Sequence, residues 1–195
     1  MCSSLDVGYF HKYLTSEEIT QICHQFHETT WQHNNQVMWS GVRRATVQEW
    51  ADNRQMQTLT TAMGPLMIHD HPKCLRSSKS GGKWSKYMQG ASALFAYHIA
   101  QSEDSITVLT PPPPERFHPS GETNYQAIEE PILKGKIGAT SVTKIELVHP
   151  TVTGAEEFHY QIWPLDETDS WISRFGGLTP RQQCWRRVRK KNQKL

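Results

Sequence analysis

The chain has 195 residues, a hydrophobic fraction of 36% and seven tryptophans, enough to bury about 70% of its unfolded surface in one domain or two small ones. That composition excludes disordered and collagen-like classes for most of the chain, and no apolar run reaches the roughly 20 residues of a membrane helix. The net charge of +2 is unevenly spread. Residues 181–195 hold seven Lys or Arg and no acid, which leaves 14 basic and 19 acidic groups, a net of −5, on the rest.

The helical signal comes first in the chain. Thr15 and Glu18 have the capping-box spacing, and Ile19, Ile22, Cys23 and Phe26 follow at helical intervals. Val37 to Gly41 is a short apolar stretch closed by glycine, read as a strand or an extended turn. Thr46 and Glu49 form a second box, with Val47, Trp50 and Ala51 as its apolar positions. Residues 69–83 read as a Ser/Gly/Lys loop. From Trp84 one apolar face runs through Tyr87, Met88, Ala91, Phe95 and Ile99.

The pattern then changes. Ile106 to Thr110 reads as a buried strand stopped by Pro111 to Pro114. Residues 111–124 form a long Pro/Gly/Ser loop, a length often reserved for function. Ser141 to Val148 and Phe158 to Trp163 read as two more strands, and a helix is expected from Thr179. The fold class expected is α/β. A helical lobe, residues 1–103, packs against a small, mostly parallel sheet lobe with flanking helices, residues 104–180. A cleft lies between them, and 181–195 form a basic tail.

Four scattered cysteines, Cys2, Cys23, Cys74 and Cys184, include no CxxC pair. They are too sparse for a disulfide scaffold, and reduced thiols are expected. The first twenty residues lack the charged start and apolar stretch of a signal peptide. A cytoplasmic protein is the expectation, with the basic tail leaving the nucleus open.

Metal chemistry is weakly indicated. His69, Asp70, His71 and Cys74 lie close in sequence, and Cys23 and His27 are one helical turn apart, but neither set has the paired spacing of a zinc module. With ten histidines, chance clusters are expected, and no metal is assigned. The tail, with Trp185 among its charges, suits weak contact with nucleic acid or an acidic surface, though a solvated terminus explains it better. Glu129 and Glu130 stand between apolar neighbours after the long loop. A carboxylate so held can take hydrogen bonds from sugar hydroxyls and stabilise a cationic transition state. Trp39 and Trp84 each open a Trp-Ser pair near an element boundary, where an indole serves as a core anchor or as a stacking plate for a flat ligand.

Taken in order, four segments resemble the ADP-ribosyl cyclase / NAD glycohydrolase family. They are Val37-Met38-Trp39-Ser40-Gly41, Gln57 to Leu66, Trp84-Ser85-Lys86 through Phe95-Ala96, and Thr123-Asn124-Tyr125-Gln126-Ala127-Ile128-Glu129. The resemblance spans about Val37 to Pro150. It implies cleavage of the nicotinamide–ribose bond of NAD, with NADP as an open alternative substrate, and release of nicotinamide with cyclic ADP-ribose or ADP-ribose. It implies Glu129 as the catalytic carboxylate, with Trp39 and Trp84 as catalytic stacking indoles. Ser40, Thr60, Thr123, Asn124 and Tyr125 would bind substrate. No metal or separate cofactor is required, since NAD is the substrate, and a homodimer stays open.

Two departures stand out. Thr60 replaces an acid of the family's Thr-Leu-Glu-Asp segment, which puts product partition in doubt. Gly41 replaces the arginine that often follows Trp-Ser, so phosphate contact would shift to Arg43, Arg44 or backbone amides. The competing readings are a mono-ADP-ribosyltransferase, whose Arg and Gln/Glu-x-Glu signatures are missing here, and a non-enzymatic binding module with a nucleic-acid tail.

Overall fold

A computed structural model describes residues 8–178. Residues 1–7 and 179–195 fall outside the description, so the helix expected from Thr179 and the basic tail lie beyond it. The first long helix, α1, is Ser16–Glu28. It begins where the capping box predicts. The Thr15 side chain accepts from the Glu18 backbone, and the Glu18 carboxylate accepts from the Thr15 backbone N–H at 3.0 Å.

Strand β1, Val37–Trp39, follows, then α2, Arg44–Asp52. The second expected capping box is not used. Helix α2 starts two residues before Thr46, from an Arg43 cap that makes no side-chain bond. Gly41 holds φ at +78°, a conformation that only glycine adopts without cost, so another residue type would strain the turn from β1 into α2. Helix α3, Leu59–Met63, is capped by Thr58 and runs into a 3₁₀ turn, Gly64–Met67. The 22-residue α4, Gly81–Ser102, contains the whole apolar face read from Trp84 to Ile99.

Strand β2, Ser105–Leu109, ends at the prolines. The chain forms no helix or strand again until a π-helical turn, Tyr125–Glu129, which continues as α5, Glu130–Leu133. Its wider winding has a local cause. Pro131 has no N–H to bond back four residues, and the Glu130 N–H reaches five residues back to the Tyr125 carbonyl. Strands β3, Lys144–Val148, and β4, Tyr160–Trp163, then precede α6, Thr168–Phe175. Helix α6, with Trp171 as its one buried residue, had no counterpart among the expected elements.

The fold is α/β. The sheet runs β1-β2-β3-β4, with β1, β2 and β3 parallel and β4 antiparallel at the edge. Strand β1 pairs in register with β2, Val37 opposite Thr107 and Trp39 opposite Leu109, so the sheet takes a strand from each side of residue 103. Both faces are covered. On one, Val47, Trp50 and Ala51 of α2 pack on Val37, Leu109 and Val148. On the other, α1, α4 and α5 pack on Met38, Ile106, Val108, Ile145 and Leu147. Strands buried on both faces are the habit of parallel sheets. Among the described residues no helix is long and apolar enough to cross a membrane.

Candidate active-site cleft

In open parallel sheets, ligands bind beyond the carboxyl ends of the strands. A cavity of about 280 Å³ lies there. Strand β1 delivers Met38 and Trp39 to its wall at the strand's last residues. Helix α2 adds Arg44, its first residue. Leu59 and Thr60 come from α3 and Met67 from the 3₁₀ turn. Helix α4 provides Trp84, Met88, Ser92 and Phe95, and the segment after the proline loop provides Asn124 and Glu129.

The cavity thus brings together Trp39, Thr60, Trp84, Asn124 and Glu129 from four separate stretches of sequence. Both indoles are half-buried. Trp39 is anchored beside Val42 and Met56 against the α2 core. Trp84 stacks on Tyr87 with ring centroids 5.2 Å apart and an interplanar angle of 27°. The guanidinium of Arg76, from the loop before α4, lies 5.2 Å from the Trp84 ring centroid.

Three expected binding residues fall outside the cavity wall. Ser40 is buried, and its hydroxyl lies 3.2 Å from that of Thr123, which in turn donates to Gln126 Oε1 at 2.9 Å. The pair ties the end of β1 to the start of the π-helical turn. Gln126 also donates to the His118 carbonyl at 3.1 Å, which extends the tie into the proline loop. Tyr125 is fully buried, stacked on Phe117 at 5.4 Å. The winding that presents Glu129 to the cavity turns Tyr125 into the core.

Glu129 is 7% exposed. Burial disfavours its charged form and raises its carboxyl from 4.5 to about 7, and a hydrogen bond with Ser92 works in the opposite direction. Its neighbour Glu130 points elsewhere and pairs with Lys134 at 2.5 Å. Between the two adjacent acids, the fold therefore selects Glu129 for the cavity. No family model matches the chain, and no curated protein shows a significant match.

The expected site omitted Ser92, Arg44 as a wall residue, and the thioethers of Met38, Met67 and Met88. Ser92 had a legible signal, as the one hydroxyl within Gly90-Ala91-Ser92-Ala93-Leu94-Phe95-Ala96, every residue of which is buried. A hydroxyl in such a run must find a partner. The histidine cluster turns inward on itself. His69 bonds Asp70 at 2.9 Å in the exposed loop, His71 Nδ1 accepts from the Lys73 backbone at 3.1 Å, and Cys74 is buried.

Proposed function

We propose that the protein cleaves the bond between nicotinamide and ribose in NAD, with Glu129 as the carboxylate that stabilises the developing ribosyl cation. The observation that carries this reading is a single buried carboxylate in one cavity with two half-buried indoles. The sequence resemblance to ADP-ribosyl cyclases and NAD glycohydrolases predicts that same trio. A cavity of about 280 Å³ takes a ring and its sugar, and the rest of a dinucleotide would extend along the mouth, where Arg44 is the cationic wall residue suited to its phosphates.

The chemistry follows from charge. The nicotinamide ring of NAD is cationic and stacks on an indole face, an attraction worth about 0.5–2 kcal/mol. The C1′–N bond breaks with its electron pair passing to the ring, so nicotinamide leaves neutral and needs no general acid. The positive charge moves to the ribose. A carboxylate fixed against it in a site of low dielectric stabilises that charge far more than water would. Asn124 and Thr60 supply neutral hydrogen-bonding groups to sugar or phosphate oxygens. The cation is then captured by water, giving ADP-ribose and a proton, or by the adenine of the same molecule, giving cyclic ADP-ribose. A difference of about 1.4 kcal/mol between the two captures alters their ratio tenfold.

Glu129→Gln keeps the shape of the side chain and removes the charge. Its NAD consumption, followed by nicotinamide release, is expected to fall at least about a hundredfold, with an unchanged circular-dichroism spectrum. Near wild-type turnover in that variant would remove Glu129 from the reaction.

A further inference from the structure

Helix α4 contributes more to the cleft than its tryptophan. Between Gly90 and Ala96 every side chain is buried and most are small, and the segment from Tyr125 to Leu133 packs against this helix. Ser92 is the polar exception in that interface. It is 5% exposed, lies on the cavity wall with Glu129, and favours the ionised form of that carboxylate. A buried hydroxyl and a buried carboxylate each cost free energy when unpartnered. Here the two share one cavity wall, on elements that pack against each other.

We propose that Ser92 is a positioning residue for Glu129, its hydroxyl donating to the carboxylate and fixing the face that the cavity receives. A donor to a carboxylate favours the ionised form, which offsets part of what burial does to Glu129. The other titratable or charged groups of this region are Tyr125 and Glu130 on the same segment and Arg44 across the cavity. Tyr125 is held neutral by burial, with Glu130 and Glu129 adding to that effect, and Glu130 is paired with Lys134. Ser92 is therefore the side chain placed to hold Glu129 charged. Its part in turnover rests on the NAD-cleaving reading above, whereas its bond to Glu129 does not.

The test separates the two. In the full chain labelled with ¹³C at glutamate Cδ, the Glu129 resonance is identified by its loss in Glu129→Gln and titrated without any ligand. Ser92→Ala is expected to move the midpoint up by roughly one pH unit, and Ser92→Thr, which keeps the hydroxyl, to restore it. With NAD, the acid limb of the rate profile should move by the same amount in Ser92→Ala. An unchanged carboxyl titration in Ser92→Ala overturns the assignment, whatever the enzyme turns over. A shifted titration in a protein that leaves NAD intact would uphold the Ser92–Glu129 bond and reject the NAD reading.

Discussion

Glu129 has opposite consequences for turnover and for stability. Its carboxyl titrates at about 7 in the folded protein, and the proposed reaction needs it ionised. On that basis kcat/KM for NAD is expected to fall tenfold per pH unit below about pH 7. The limb of kcat should lie at lower pH, because the cationic ring of bound NAD holds the proton off. A kcat/KM flat from pH 8 to pH 5 would exclude Glu129 as the group that must be charged. For stability the sign reverses. The unfolded chain loses this proton near 4.5 and the folded chain near 7. Across that window the folded state binds the extra proton, so stability declines as pH rises, by about 3 kcal/mol in total. Glu129→Gln should therefore be more stable than wild type by about that amount at pH 8 and no more stable at pH 4, as read by urea unfolding at the two pH values.

At the scale of elements, α4 organises the cleft, and its packing has a tight point. A Cβ at Gly90 would meet Leu14 side-chain atoms at 2.3–2.8 Å, and Leu14 is itself buried. Gly90→Ala is expected to cost about 1–3 kcal/mol despite alanine's better helix propensity, and Leu14→Ala in the same chain should relieve part of that cost. Equal or higher stability in Gly90→Ala would show that Leu14 moves freely. The other end of α4 is anchored differently. Glu103 caps the helix, and its carboxylate accepts from the Trp31 indole at 2.5 Å, from the Ser102 hydroxyl at 3.0 Å and from the Asn34 backbone. That bond set fixes the connector ahead of β1, and with it the placement of Trp39.

The same elements show what the sequence made legible. Helices α1 and α4 and strand β2 are written locally, in the Thr15–Glu18 box, in the apolar period from Trp84 to Ile99, and in the run that Pro111 stops. The start of α2 is not, because the Thr46–Glu49 spacing imitates a cap while the turn at Gly41 sets the helix earlier. The π-helical turn is hidden too. Nothing in the spacing of Tyr125 and Glu129 says that one faces the core and the other the cavity, and the bond from Glu130 to Tyr125 depends on Pro131 and on packing against α4.

For the whole molecule, the cleft is a consequence of topology. Strand β1 pairs with β2 across some 70 residues of intervening chain, and that pairing alone brings Trp39 to the side of the sheet where the proline loop and Glu129 emerge. Trp39, Thr60, Trp84, Asn124 and Glu129 could be nominated one by one from sequence, by order and resemblance. Their convergence required the parallel β1–β2 register, which no local pattern encodes. Ser40 and Thr123 illustrate the distinction. Expected as substrate-binding residues, they lie within hydrogen-bonding distance of each other and tie β1 to the Glu129 segment. Among the described residues the exposed apolar side chains, Ile68, Leu165, Ile172 and Leu178, are separate from the cavity wall, so the cavity is where indoles, a buried carboxylate and a cation meet.

The most direct test is to incubate the purified full chain with NAD at pH 8, where Glu129 is ionised, and to resolve the products by chromatography. Free nicotinamide is expected in one-to-one yield with ADP-ribose, cyclic ADP-ribose or both. NAD recovered intact after prolonged incubation with folded protein would contradict it.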